Sequence, residues 1–386
     1  MILTAILTFV IALLIVLSAI PPIIRVAQLK HLFDEPSEDR KVHIYKTPNL
    51  GGIAIFVSLL LTLCVIIPFN LIPHVNYIIA SAVILFCLGL KDDLVGLSPL
   101  IKFAAQIVAA LVICLLAGIR LTSLYGFFGI YEISVPLSMM ITTLFILLIV
   151  NAFNLIDGID CLAGTVGIIT SISFGYVFFA LKEPGMMYLA ICITGSLFGF
   201  LYFNRSPAKI FMGDTGSLLI GFVMAVMSIK FIELNKFNPV TNLHPLFVSA
   251  PSMVFGILII PIFDTLRVFT LRITKGLSPF NADRNHIHHR LIDFRLSHLK
   301  ATGILSAVNI FFIIIVFLLK DIGTMELFIF TSILALTLNL TSWHFANVKR
   351  MAISEQRPLE YDNVVKLDGQ GNYVKEQVKN QESLSK

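Results

Sequence analysis

The chain has 386 residues, 57% of them hydrophobic and 13% charged, with a mean hydropathy of +0.91. A soluble domain carries about a quarter of its residues as charges, so a water-soluble globular protein is excluded for most of this length. The formal net charge of +5 invites a nucleic-acid partner, but the placement of the basic residues removes that reading.

Apolar runs of about 20 residues with few charges are the signature of membrane-spanning helices. Eleven occur, at 3–24, 51–69, 76–90, 100–118, 133–152, 161–181, 186–203, 216–231, 246–264, 302–319 and 325–346. The first opens MILTAILTF with no basic leader, and its Lys and Arg follow it. A signal peptide has the opposite polarity, so this run reads as a retained helix. Alternating the loops between two sides puts 23 of the 28 Lys and Arg on one side, leaving Arg120, Lys182, Lys230, Lys236 and Lys320 on the other. The positive-inside rule makes the richer side cytoplasmic. The expected fold is an all-α polytopic membrane protein with about eleven transmembrane helices, N-terminus outside and C-terminus cytoplasmic. An integral membrane domain at 1–346 is expected to carry the chemistry. The tail at 347–386 is polar, with little hydrophobic periodicity, and reads as a disordered cytoplasmic extension. The five cysteines stand singly, with no CxxC pair, so neither a zinc ribbon nor a disulfide framework is indicated.

The loops assigned to the cytoplasm carry the unusual residues. The first holds His43, Lys46 and the pair Gly51–Gly52. Lys46 reads either as an ordinary positive-inside residue or as a phosphate contact. The second, LKDDLVGLSP, sets Asp92 beside Asp93. Capping explains one acid per helix, and adjacent like charges repel unless a cation or proton compensates.

The junction NAFNLIDGIDCLAG then places Asn151, Asn154, Asp157 and Asp160 three apart. On a continuous helix such residues drift about 60° per step, so neighbours touch while the set wraps half the helix end. That strip could serve a metal diphosphate and a base together. In IFMGDTGSLLIGF, Asp214 sits between Gly213 and Gly216 at a helix start. Glycines permit close backbone approach, and free N–H groups there suit a phosphate. Membrane-embedded or juxtamembrane carboxylates are functional candidates by default, and here three loops deliver five to one face.

The last large loop contains DRNHIHHR, with Arg284, His286, His288, His289 and Arg290. It reads as a clamp for phosphate and sugar, since Arg binds phosphate bidentately and imidazoles both donate and accept. A zinc site and a solvated basic loop are the alternatives, the first weakened by the lack of Cys and of finger spacings.

Four motifs in order, KDDLVG, NAFNLIDGIDCLAG, FMGDTGS and DRNHIHHRL, resemble those of the polyprenyl-phosphate N-acetylhexosamine-1-phosphate transferases over about residues 1–345. The DRNHIHHR form is similar to the WecA and TagO branch. Cys161 stands where many members of that family have glycine.

The resemblance implies transfer of an N-acetylhexosamine 1-phosphate, with GlcNAc expected from the branch, from its UDP-sugar to undecaprenyl phosphate with release of UMP. It implies magnesium (or manganese) held by Asp214 and Asn154, and an acidic pair, Asp92 and Asp93, that deprotonates or positions the lipid phosphate. Asp157 corresponds to a catalytic acid near the diphosphate, Asp160 to a position near the uracil, and His286, His288, His289 and Arg290 to the loop that meets sugar and pyrophosphate. Expected partners are the two substrates and membrane lipids, with a homodimer left open and no nucleic acid. The rival activities are transfer from UDP-MurNAc-pentapeptide and, from another class, secondary transport. Transporters place charged sites near the bilayer midplane, whereas these acids gather at helix ends.

Overall fold

The computed structural model describes residues 1–32, 47–236, 245–276, 286–355, 361–367 and 373–379. The chain divides into two compact units, Met1–Thr331 and Ser332–Lys386.

Helices follow one another almost without interruption: α1 (Ile2–Leu29), α2 (Gly51–Val65), α3 (Val75–Val95), α4 (Pro99–Leu111), α5 (Val135–Ile156), α6 (Leu162–Ala180), α7 (Pro184–Asn204), α8 (Gly213–Leu234), α9 (Ala250–Ile257), α10 (Ile259–Thr274), α11 (Ile287–Asp293), α12 (His298–Leu318) and α13 (Thr324–Glu355). Their starts obey local rules. Pro99, Pro136 and Pro184 occupy the first turns of α4, α5 and α7, where a missing N–H is harmless. Ser297 caps α12 by accepting the Lys300 N–H.

Each of the eleven apolar runs is helical over most of its length. Among the described residues, eight helices are long and apolar enough to cross a membrane, or nine if the bent α9–α10 pair counts as one span. That is fewer than the eleven expected, for physical reasons. Helix α2 has fifteen residues and rises about 22 Å, short of a hydrocarbon core of about 30 Å. Helix α3 closes on Lys91, Asp92 and Asp93. The α9–α10 pair bends by 81°. Pro261, in the first turn of α10, has no N–H for the Ile257 carbonyl, and its ring blocks a straight continuation.

Helix α8 is the most enclosed of the eight, and it packs against α5, α3 and α2. Glycines allow the close approach: a Cβ on Gly52 would strike the Gly216 backbone, and one on Gly89 the Thr215 backbone. The N-terminal turn of α8 is thereby held between α2 and α3. Large apolar side chains such as Leu14, Ile314 and Ile329 are exposed on the outer helices, as a lipid-facing surface requires.

The boundary between the two units falls inside α13. Nothing between Ala346 and Glu355 breaks a helix, so α13 runs into the polar tail. Beyond it, β1 (Tyr361–Leu367) and β2 (Tyr373–Lys379) pair antiparallel, Val364 opposite Glu376.

Candidate active site

The acidic residues meet at one end of the bundle, where α3, α5 and α12 stop or start around the first turn of α8. Lys102, at the start of α4, ties the cluster together. Its Nζ lies 2.5 Å from Asp92 Oδ2 and 2.9 Å from Asp214 Oδ2. Asn154 donates from Nδ2 to Asp214 Oδ1 at 2.7 Å and to Ser217 Oγ at 3.0 Å. Asp92, Asn154 and Asp214, from three separate motifs, therefore share one constellation.

Asp92 and Asp93 are neighbours with different surroundings. Asp92 accepts the Leu97 N–H at 2.8 Å and faces Lys102. Asp93 accepts the N–H groups of Asp214 (2.8 Å) and Thr215 (2.9 Å) and the Thr215 hydroxyl (2.6 Å). Their mutual repulsion is thus offset by an ammonium on one side and a helix N-terminus on the other. This corrects the expectation for α8: its first amides are capped by a carboxylate of α3, and its glycines serve helix packing.

The strip expected along the NAFNLID junction is also broken. Helix α5 ends at Ile156 and α6 starts at Leu162, with Asp157 to Cys161 in the turn between. Asn151 points elsewhere, donating to Gln106 Oε1 at 2.8 Å and joining α5 to α4. Cys161 holds the turn with φ +68°, a left-handed conformation that favours glycine. Its N–H donates to Asn204 Oδ1 at 2.8 Å, while Asn204 Nδ2 donates to the Ile210 carbonyl.

A cavity of about 350 Å³ opens at this end. Asp93, Asn154, Asp157, Asp160, Asp214 and His298 are among the residues that line it. Burial, followed by the charges of Asp214 and Asp93, pushes the Asp157 carboxyl well above the usual carboxylate range, against an opposing hydrogen bond from the Gly213 N–H. Among the described residues, no group of three or more His, Cys, Asp or Glu side chains forms a metal cage.

The histidine segment stands beside this cavity and is braced from two sides. His286 is buried with Nδ1 2.9 Å from Asp264 Oδ2 on α10. A carboxylate only accepts, so the contact puts a proton on Nδ1. Asp264 also accepts from Arg267 Nη2 at 2.9 Å and from the Ile287 N–H at 3.0 Å. His288 is buried, packs where a Cβ on Gly158 would collide with its ring, and has no hydrogen-bond partner on either ring nitrogen. Burial, then His289, drives its pKa down to about 3. Its ring is a neutral wedge behind the Asp157–Asp160 turn. His289 and Arg290 are half-buried on α11. Lys46, like His43 and Arg284, lies outside the described residues.

Four residues escaped the sequence reading. Lys102 was one loop lysine among several, Asp264 stood at the edge of an apolar run, and His298 and Asn204 carried no motif. Only Asp264, an acid within a greasy stretch, offered a signal of the kind that marks function in membranes.

Fold and site define a multi-pass membrane protein with an acidic, lysine-bridged centre at one end of its helix bundle. Residues 75–232 match glycosyl transferase family 4. The chain is 32% identical over 319 residues to a probable undecaprenyl-phosphate N-acetylglucosaminyl 1-phosphate transferase of Bacillus subtilis, covering 81% of this chain and 84% of that one. It is 31% identical over 283 residues to a decaprenyl-phosphate N-acetylglucosaminephosphotransferase of Mycolicibacterium smegmatis, with 68% and 69% covered. An undecaprenyl-phosphate alpha-N-acetylglucosaminyl 1-phosphate transferase of Yersinia pestis is 32% identical over 271 residues, again with 68% and 69% covered. The chain belongs to glycosyl transferase family 4, in its group of polyprenyl-phosphate N-acetylhexosamine-1-phosphate transferases.

Proposed function

We propose that the protein transfers GlcNAc 1-phosphate from UDP-GlcNAc to undecaprenyl phosphate and releases UMP, at a site facing the cytoplasm. The observation that carries this reading is the meeting of Asp92, Lys102, Asn154, Asp157 and Asp214 at one end of an apolar bundle. A lipid acceptor keeps its tail in the bilayer while its phosphate reaches that end. The names of the three relatives support GlcNAc and a polyprenyl phosphate. With α2, α3 and the bent pair added to the eight long helices, the chain crosses eleven times, its N-terminus outside.

Both substrates are anions, so positioning and charge neutralisation dominate phosphoryl transfer. An oxygen of the acceptor phosphate attacks the sugar-bearing phosphorus of the donor. The P–O bond to the UMP phosphate breaks, and UMP leaves with that bridging oxygen. A phosphate monoester has its second pKa at about 6, so the acceptor is largely ionised at neutral pH. Asp92, with Lys102 beside it, serves to position that phosphate more than to deprotonate it. Lys102 screens donor and acceptor from each other. Asp93 holds the first turn of α8, and with it Asp214, in place.

The residues fit magnesium or manganese. Lys102 shows that positive charge is accommodated between Asp92 and Asp214, and Asp157 is crowded by carboxylates that a cation would relieve. Magnesium commonly takes one or two protein carboxylates and completes its shell with phosphate and water, which suits a site without a protein cage. Asp214 and the side-chain oxygen of Asn154 would hold it, and when bound it would polarise the diphosphate and neutralise charge on the leaving UMP.

Purified protein in detergent, given undecaprenyl phosphate, magnesium and UDP-GlcNAc, is expected to form the lipid-linked product and UMP in equal amounts. EDTA or Asp214→Ala should abolish both. Product only from UDP-MurNAc-pentapeptide would replace the donor assignment, and no turnover with any UDP-sugar would end it.

A further inference from the structure

Two helices reach the acidic centre without being joined to each other there. Lys102 lies near the start of α4 and Asn154 near the end of α5, and the chain between these helices, residues 112–134, runs at their opposite ends. Both side chains still converge on one carboxylate. Lys102 Nζ is 2.9 Å from Asp214 Oδ2, and Asn154 Nδ2 is 2.7 Å from Asp214 Oδ1. Such contacts weaken steeply as their geometry drifts, so the spacing of α4 and α5 at this end has to be fixed.

A second polar pair lies one turn deeper. Gln106 follows Lys102 by four residues and Asn151 precedes Asn154 by three, and neighbours at these spacings share a helix face. Asn151 Nδ2 donates to Gln106 Oε1 at 2.8 Å and to the Leu147 carbonyl at 2.8 Å, and Gln106 Nε2 donates back to Asn151 Oδ1 at 3.4 Å. The Leu147 carbonyl only accepts, so the Asn151 atom beside it is the amide nitrogen, which makes the facing atom of Gln106 the oxygen. Gln106 is buried, with 2% of its surface exposed. An amide at that depth has no water to turn to, and pairing across the helices satisfies it.

Helices α4 and α5 are thus joined by two rungs. The inner one is neutral and reciprocal; the outer one passes through Asp214 and carries charge. We infer that Gln106 and Asn151 are positioning residues for the reaction: their amide pair sets the spacing of α4 and α5 and thereby holds Lys102 and Asn154 against Asp214. This inference rests on the proposed transfer and adds to it two residues that act through Lys102 and Asn154. Asn151, the first residue of the NAFNLID motif, serves the neighbouring helix.

The test uses the full-length protein in detergent. Thermal unfolding and steady-state kinetics are measured, together with the rate at which an amine-reactive reagent labels Lys102, followed by mass spectrometry. Gln106→Met alone leaves Asn151 without its partner and should lower stability. Gln106→Met combined with Asn151→Leu removes both amides, and replacing both partners of a hydrogen bond by apolar groups of similar shape is nearly neutral. This double variant should therefore unfold at the wild-type temperature. Its kcat should still fall about tenfold, because small misplacements of catalytic groups cost rate. Lys102 should be labelled several-fold faster as its contacts with Asp92 and Asp214 loosen. The exchange Gln106→Asn with Asn151→Gln keeps two amides of the same combined length and should recover most of the turnover and the slow labelling. A double variant with wild-type kcat, or with wild-type labelling of Lys102, would overturn the inference, and so would one whose lost activity matches its lost stability. Wild-type protein that turns over no UDP-sugar would reject the proposed reaction, and the labelling rates would then decide by themselves whether the amide pair holds Lys102.

Discussion

Asp93 Oδ1 accepts the backbone N–H of Asp214 at 2.8 Å, so the second acid of one motif fixes the backbone of the acid in another, 121 residues away. The same carboxylate takes the Thr215 N–H and hydroxyl, which makes it the N-terminal cap of α8, supplied from α3. Loss of a capping side chain costs about 0.5–2 kcal/mol. Asp93→Ala is expected to lower stability by that amount and to misplace Asp214, reducing turnover more than stability alone would require. Asp93→Asn keeps one acceptor oxygen and should recover much of the stability. Thermal unfolding in detergent, paired with single-turnover rates, measures the two effects; equal stability of Asp93→Ala and wild type would remove the cap.

Lys102 is the counter-charge for Asp92 and Asp214 together. Lys102→Met keeps the stem and removes the ammonium, leaving two half-buried carboxylates without their shared partner. Removing one electrostatic contributor from a preorganised site typically costs about 100-fold in rate, and that loss is expected in kcat/KM. Lys102→Arg should keep the charge but not the geometry, since a planar fork does not bridge two carboxylates as a point charge does. Steady-state kinetics on both variants decides; a Met variant within threefold of wild type would make the contact structural only.

Cys161 adopts φ +68° at the end of the Asp157–Asp160 turn. A left-handed conformation costs a non-glycine residue roughly 1–2 kcal/mol, offset in part by the Sγ contact to the Asn204 carbonyl at 3.5 Å. Cys161→Gly is therefore expected to raise stability by about 1 kcal/mol and to leave donor kinetics near wild type. Chemical or thermal unfolding in detergent measures it, and a destabilised glycine variant would show that the thiol packs more favourably than the backbone strain suggests.

Much of this architecture was legible in the sequence, because apolar runs and charge placement obey the bilayer directly. The shared site of Asn154 and Asp214 was legible too, since each interrupts an apolar context at a helix end. What the sequence withheld was the division of labour. Asp92 and Asp93 are indistinguishable in the string, yet one meets a lysine and the other a helix terminus. The three-residue spacing from Asn151 to Asp160 suggested a strip wrapping a helix end, but α5 stops at Ile156 and Asp157 to Cys161 form the turn before α6. His288 belonged to a motif expected to meet sugar and pyrophosphate, and the string does not show that its ring is buried against Gly158. Tertiary placement decided each of these, and periodicity carries no record of it.

Asp157 is the acid whose surroundings most oppose its charge. Burial, with Asp214 and Asp93 nearby, raises its pKa above the unfolded value, so the fold favours the protonated carboxyl. The stability this contributes is fully present below the unfolded pKa and is lost as pH rises through the folded pKa. At pH 8 without divalent cation, keeping this carboxyl in the fold costs free energy, as a bound proton or as a buried charge, and Asp157→Asn removes that cost, while the amide oxygen can still accept from the Gly213 N–H. The variant is expected to unfold at a higher temperature than wild type at pH 8, with the gap closing as pH falls toward about 4, near an ordinary aspartate pKa. Turnover should fall in the same variant on the catalytic-acid role that the family resemblance implies for Asp157. A variant less stable than wild type at pH 8 would mean that the ionised carboxylate is held by favourable interactions and that its crowding does not govern its titration.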